Sequence, residues 1–205
     1  MISIITPWRN ASELCPMYSK GVRGAEVIAI DNGSDPEHST TIRAMVEDLG
    51  GIFIRNEDNK LFAATNNQGL ARASGDIIVF MNNDVECRKG FLEQVEKDVE
   101  NGALYGPSKL NKLGYDYLEG WCIAARHEVW DKLAGWDAEY FTGLYWEDND
   151  LCFRAQQNGF LLIKKDWPVW HFNNYTTNKT PGAKDNSASN MQKLIGRIED
   201  AQSTT

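Results

Sequence analysis

Between Asp76 and Val85 the chain reads Asp-Ile-Ile-Val-Phe-Met-Asn-Asn-Asp-Val, five apolar residues in succession that run straight into a polar cluster. An apolar run of that length with no polar alternation predicts a strand buried on both faces, as in a mostly parallel sheet flanked by helices. Three runs of the same character come before it: Ile2–Thr6, Glu26–Asp31 and Ile52–Arg55. Between the second and third, Ile42, Met45, Val46 and Leu49 recur at helical spacing, opened by Asp35-Pro36 and stopped by Gly50-Gly51. Strand, helix, strand is a βαβ unit with parallel pairing, so an α/β fold is expected. Ligands of such sheets gather at the carboxyl ends of the strands. The residues ending these runs are therefore candidates for chemistry: Thr6, Pro7 and Trp8, then Asp31, then Asn83 and Asp84.

Further along, the segment from Asn59 predicts an alanine-rich helix, in which Asn66 and Asn67 are poor helix formers whose amides should have a use. Phe91, Leu92, Val95 and Val99 predict another helix, followed by a strand at Ala103–Gly106. Past Gly114 bulky aromatics accumulate, among them Tyr115, Tyr117, Trp121, Trp136, Tyr140 and Tyr145, which suit sugar faces as well as packing. Trp121–Ala125 reads as a strand and His127–Leu133 as a short helix. Phe160–Ile163 and Pro168–Trp170 read as final strands, with His171 just after the second. Glu147, Asp148 and Asp150 open a helix, where acids gain about 0.3–1 kcal/mol each from the dipole, and Asp150 is spaced to pair with Arg154. The stretch Thr176 to Ser189 reads as a mobile loop and Met191–Ile198 as a short terminal helix.

The net charge of −8 leaves no broad positive field, so nucleic acid is not an expected partner. A phosphate-bearing ligand would have to be held locally, which points to a cation. Four scattered cysteines without Cys-x-x-Cys spacing read as thiols of a reducing compartment, and a cytoplasmic protein is expected. The first residues hold too few apolar positions for a signal peptide, and no run approaches membrane-spanning length. Gly-x-Gly-x-x-Gly after the first strand, the P-loop pattern and Gly-x-Ser-x-Gly are all absent.

Six short pieces then stand in a telling order: Asp31-Asn-Gly-Ser34, Asn59-Lys-Leu-Phe-Ala-Ala-Thr-Asn-Asn-Gln-Gly69, Asn82-Asn-Asp-Val85, Gly135-Trp-Asp-Ala-Glu-Tyr-Phe141, Glu147-Asp-Asn-Asp-Leu151 and Val169-Trp-His171. Together they resemble the motifs of the inverting family 2 glycosyltransferases of GT-A fold, particularly the bacterial rhamnosyltransferase-like branch. The resemblance covers residues 2–172. It implies the nucleotide-diphospho-sugar transferase fold as a single catalytic domain over 1–175, with a nucleotide half at 1–105 and an acceptor half at 106–175. It also implies site roles. Thr6, Pro7, Trp8 and Asp31 fall where the family holds the nucleobase. Lys60, Asn67 and Asn83 fall in the motifs around the donor. Asp84 and His171 match the ligands of a divalent cation, Mn²⁺ or Mg²⁺, on the donor diphosphate. Asp148 matches the general base, with Glu147 beside it as acceptor contact or support. The expected donor is a UDP-linked sugar and the expected acceptor a carbohydrate or glycoconjugate.

The sequence departs from the family pattern twice. Leu61 stands where Asn-x-Gly-Phe has glycine, and Asn82 and Asn83 stand where the metal motif often has a second acid. Two other classes stay open on the residues alone, a sugar-1-phosphate nucleotidyltransferase and a non-catalytic nucleotide- or carbohydrate-binding module.

Overall fold

The protein is described by a computed structural model over residues 1–141, 144–172, 175 and 186–203. The four apolar runs form strands β1 (Ile2–Trp8), β2 (Glu26–Asn32), β3 (Ile52–Asn56) and β4 (Ile77–Met81), all paired in parallel in the order β4-β1-β2-β3. Each strand alternates its side chains between two apolar layers. Ile77, Val79 and Met81 of β4 join one layer with Ile4, Val27 and Ala29, while Ile78 and Phe80 join the other with Ile5, Ile28 and Ile30. Both faces are thereby covered, as the unbroken apolar runs require.

Helices fill the connections. Helix α1 (Cys15–Val22) and α2 (Pro36–Asp48) pack on the first layer, and α3 (Phe62–Leu70) lies against β1 and β2 on the second. After β4 the chain adds a short strand β5 (Val85–Cys87), helix α4 (Phe91–Asp98) and β6 (Ala103–Gly106). A hairpin of β7 (Ser108–Leu110) and β8 (Asp116–Leu118) follows, then β9 (Cys122–Arg126) and α5 (His127–Leu133). Strand β9 inserts antiparallel between β4 and β6, with Met81 opposite Cys122. Helix α6 (Glu147–Gln157) leads to β10 (Leu161–Lys164), which pairs in parallel with β6 and closes the seven-stranded sheet in the order β10-β6-β9-β4-β1-β2-β3.

Two further elements shape the functional edge. Strand β11 (Val169–His171) pairs antiparallel with β5 as a separate ribbon. Helix α7 (Ser187–Ser203), 17 residues long, is more than twice the length expected for a helix over 191–198 and takes in Ser187, Ala188 and Ser189, read from sequence as loop. Its Arg197 reaches back to Asp150 of α6, and Lys193 donates to the carbonyl of Tyr140. The rest of the expected mobile stretch, 176–185, lies outside the described residues. No described helix is long and apolar enough to cross a membrane.

Candidate active site

The carboxyl ends of β1, β2 and β4 lie on one edge of the sheet, and β9, running the other way, delivers its beginning there. The N–H of Asn82 donates to the carbonyl of Trp121 at 2.9 Å, tying the end of β4 to the start of β9. Beyond Asn83 the β5–β11 ribbon sets Val85 opposite His171. That register brings Asp84 Oδ1 to 3.1 Å from His171 Nε2, although 87 residues separate them. Asp84 Oδ2 accepts the N–H of Tyr175 at 3.1 Å. The imidazole lies flat on Trp121, ring centroids 4.7 Å apart at 14°, and its Nδ1 is buried with no hydrogen-bond partner.

These two donors fit a hard divalent ion. Bonds of about 2.1 Å at right angles place adjacent ligands about 3 Å apart, which is the separation seen, and an oxygen with an imidazole nitrogen suits Mn²⁺ better than Mg²⁺. Among the described residues no group of three or more His, Cys, Asp or Glu could hold a metal, so the protein alone offers only a partial coordination set. Asn82 and Asn83 stand where a second acid would have enlarged it.

Across the same edge, two residues in left-handed backbone, Tyr145 at φ 74° and Trp146 at φ 79°, turn the chain sharply into α6. Asp148 in its first turn accepts the N–H of Gly120 at 3.0 Å on Oδ2, and the backbone and side-chain N–H groups of Asn149 at 2.9 and 2.8 Å on Oδ1. Glycine at 120 gives this carboxylate room, since a Cβ there would lie a tight 3.2 Å from that of Asp148. Because Gly120 precedes Trp121, the same turn links the Asp148 carboxylate to the Trp121–His171 stack. Burial raises the Asp148 carboxyl above its usual range in spite of those three donors.

Glu147, 5% exposed, is pushed up to about 8 by burial and then by the charges of Asp148 and Asp150, and its Oε1 has no hydrogen-bond partner. The two neighbours are thereby sorted. Asp148, with three donors, is the better-stabilised carboxylate, while Glu147 holds a proton at neutral pH. Asp150 takes the structural part read from the sequence: Arg154 Nε donates to its Oδ2 at 2.8 Å. Arg197 of α7 binds its other oxygen and also Asp137, at 2.7 Å. Nothing local in the sequence announced Arg197, whose partners lie 47 and 60 positions earlier.

The nucleotide-side expectations divide. Trp8 is fully buried and meets Tyr18 edge to face at 5.2 Å, so it has no face to offer a base, contrary to expectation. Thr6 is also buried, its hydroxyl 2.6 Å from the Tyr18 hydroxyl. Of that trio only Pro7 keeps some surface. Asp31 is fully buried. Burial pushes its carboxyl up, but hydrogen bonds from Ser34 and Ser39 and the Arg55 guanidinium outweigh it and hold the group below the usual range. Asn67 is spent on the fold: its amide accepts from the N–H of Trp136 at 2.9 Å and donates to that residue's carbonyl at 2.7 Å, clamping α3 to the Gly135 turn. It is corrected from donor contact to clamp. Asn83 is buried beside Asp84, and Lys60 is exposed, its backbone N–H donating to Asn32 at 2.9 Å at the end of β2.

The model of the family described as "Glycosyl transferase family 2" matches residues 3–112, more than half of the chain. The chain belongs to glycosyl transferase family 2. This family 2 chain is 34% identical over 76 residues to an uncharacterized glycosyltransferase, YfnE, of Bacillus subtilis, matching 37% of this chain and 19% of that protein. It is 30% identical over 95 residues to the pre-mycofactocin glycosyltransferase of Mycobacterium tuberculosis, matching 46% and 20%. It thus spans about a fifth of the length of the curated relatives it matches.

Among solved structures, the mannosyltransferase PcManGT of Pyrobaculum calidifontis, in complex with GDP-Man and Mn²⁺, superposes with a TM-score of 0.66 at 16% identity, covering 80% of this chain and 54% of that one. S. aureus TarS 1-349 in complex with UDP gives 0.64 at 15%, covering 82% and 59%. The fold is GT-A, an α/β sandwich around a mostly parallel sheet.

Proposed function

We propose that this family 2 domain transfers a sugar from a nucleoside-diphosphate donor, UDP-linked, to a hydroxyl of a carbohydrate or glycoconjugate acceptor, with inversion at the anomeric carbon. The observation that carries the reading is the meeting of Asp84 with His171 at the carboxyl edge of the sheet, with Asp148 tied through Gly120 to the same corner. The GDP-Man, Mn²⁺ and UDP bound by proteins of the same fold support a nucleotide-sugar donor and a divalent ion. Residues 1 to about 105 would form the nucleotide half and about 106 to 175 the acceptor half. Four free thiols accord with a cytoplasmic setting.

Asp84 and His171 would hold the ion. When bound, it supplies positive charge that neutralises the departing diphosphate. The base would lie at the ends of β1 and β2, against Pro7 and the Asp31–Arg55 pair, with Lys60 at the rim. Asp31, held ionised, fixes the guanidinium of Arg55. Asp148 accepts the proton of the acceptor hydroxyl as that oxygen attacks the anomeric carbon. The bond from the sugar to the diphosphate breaks on the opposite side, and the nucleoside diphosphate leaves. Glu147, protonated, adds no second negative charge beside the base.

Asp148→Asn keeps the shape and most of the hydrogen bonds but removes the proton acceptor, so transfer should fall by about 10²- to 10⁴-fold while donor affinity holds. Donor titration beside a transfer assay would check it, and near-normal transfer by the variant would remove Asp148 from the role.

A further inference from the structure

The functional edge does not end at the Asp84–His171 pair. It continues over the carboxyl ends of β6 and β10 into a groove of about 370 Å³ that His171 and Trp121 also line. Because Gly120 binds Asp148 and precedes Trp121, this groove adjoins the corner where the acceptor hydroxyl must be deprotonated.

Its lining combines two kinds of surface. Trp121, Trp167 and Trp170 bring indoles, and Lys109, Glu119, Lys165 and Asp166 bring charged groups. Trp121 is occupied by His171, and Trp167 is buried with its N–H on Asp98 at 2.9 Å. Trp170 is different. It is 56% exposed, and Phe172 two residues on is 44% exposed, so the ribbon carries aromatic surface that folding leaves in water.

The charges indicate what could use it. Lys109 pairs with Glu119, and Lys165 lies 3.2 Å from Asp98, so the two ammonium groups are compensated and no positive field is left for a polyanion. Compensated pairs still present donors and acceptors side by side. Indole faces with such pairs suit a neutral polyhydroxylated ring, whose C–H face covers the aromatic while its hydroxyls meet the rim.

We propose that this groove binds the acceptor, and that the acceptor is an uncharged saccharide chain with one ring against Trp170. The inference rests on the glycosyltransferase reading of the neighbouring site. It adds the substrate class and a role for Trp170, to which the resemblance gave none.

The probes are neutral oligosaccharides of two to four sugars from the gluco, manno, galacto, rhamno and N-acetylglucosamine series, with heparin oligomers and ribitol-phosphate oligomers as anionic comparators. Binding is followed by ligand-observed NMR for the wild type, Trp170→Ala and Trp170→Phe, with UDP affinity measured on each. The expected result is that at least one neutral series binds, about tenfold or more weakly in Trp170→Ala but within about threefold in Trp170→Phe, with UDP affinity equal in all three. Binding of anionic oligomers alone, binding of no neutral series, or an alanine variant as good as the wild type would overturn the proposal. The two readings fail separately. Transfer that persists in Trp170→Ala with an unchanged acceptor KM sinks the groove alone. Saccharide binding at Trp170 without transfer from any nucleotide sugar sinks the transferase and leaves the groove standing.

Discussion

Leu61 takes φ 66° and ψ 172°, a region that glycine enters freely and that costs other residues about 1–3 kcal/mol. The sequence had marked the spot, because glycine stands there in the family motif, and the backbone shows why. Leu61→Gly should relieve the strain, lose little from a side chain already 37% exposed, and give back part of the gain as unfolded-chain entropy. A net stabilisation of about 1 kcal/mol is expected in urea denaturation, and a destabilised variant would show that the leucine side chain matters more than the strain. Glu147 offers a second test at this scale. Its carboxyl titrates near 4.5 as a free group and near 8 in the fold, so the folded state holds the proton more tightly. The stability this contributes is complete below pH 4.5 and is lost as pH rises toward 8, by up to about 1.4 kcal/mol per pH unit. Glu147→Gln removes the titration, so the variant should gain on the wild type between pH 5.5 and 8. Denaturation midpoints that stay parallel across that range would contradict the raised value. The sequence was less legible where side-chain direction decides. Trp8 lies two residues from Thr6 and four from Ile4, so strand alternation turns all three toward the α1 layer. In a sheet covered on both faces the period of two names the layer an indole enters, and the Tyr18 ring that covers it comes from α1.

Among the elements, α6 with α7 bears most on the site. The acids that open α6 were visible as a helix start, and the Asp150–Arg154 pair was readable from its spacing of four. Arg197 was not, because its partners are distant in the chain and only the packing of α7 on α6 brings them near. Helix α1 was missed although Cys15, Tyr18 and Val22 lie at i, i+3 and i+7, a short pattern interrupted by Gly21. That glycine is a packing requirement, since a Cβ there would sit 2.4 Å from that of Cys87. The α7 clamp has a measurable energy. Asp150 is fully buried between Arg154 and Arg197, and losing one guanidinium leaves the charge half compensated. Arg197→Met should cost about 2–3 kcal/mol, somewhat less than breaking an isolated buried pair. In the double variant with Asp150→Asn the buried carboxylate is gone and Arg154 keeps the carbonyls of Leu133 and Gly135, so part of that loss should return. Additive losses in the double variant would show that the two side chains act independently.

For the molecule as a whole, the site exists only because the sheet is closed by strands from both halves of the chain. The existence of β1 to β4 could be read from their apolar runs, and so could the burial of β1, β2 and β4, whereas β3 at the sheet's edge is only half-buried. Their order could not, because pairing β4 with β9 and β5 with β11 depends on packing between segments about 45 and 84 positions apart. Asp84 comes from the first half and Asp148 and His171 from the second, so the proposed metal pair and the proposed base are brought together by those long-range pairings. The family match ends at residue 112, before β9. Within that span β6 has no partner, since its neighbours are β9 and β10, and β4 is left with an open apolar edge. The second apolar layer also loses Ile123, Ala125, Val129, Trp130 and Leu151. Burial of each of the four larger side chains stabilises by about 1.5–3 kcal/mol, so their combined absence is comparable with the whole stability of an ordinary domain. A fragment of residues 1–112 should therefore show no cooperative unfolding transition and poorly dispersed amide resonances, whereas residues 1–203 should show both a sharp transition and dispersed resonances. A fragment that melted cooperatively would mean that the four parallel strands form an independent unit, and that the second half docks onto a finished first half rather than completing its core.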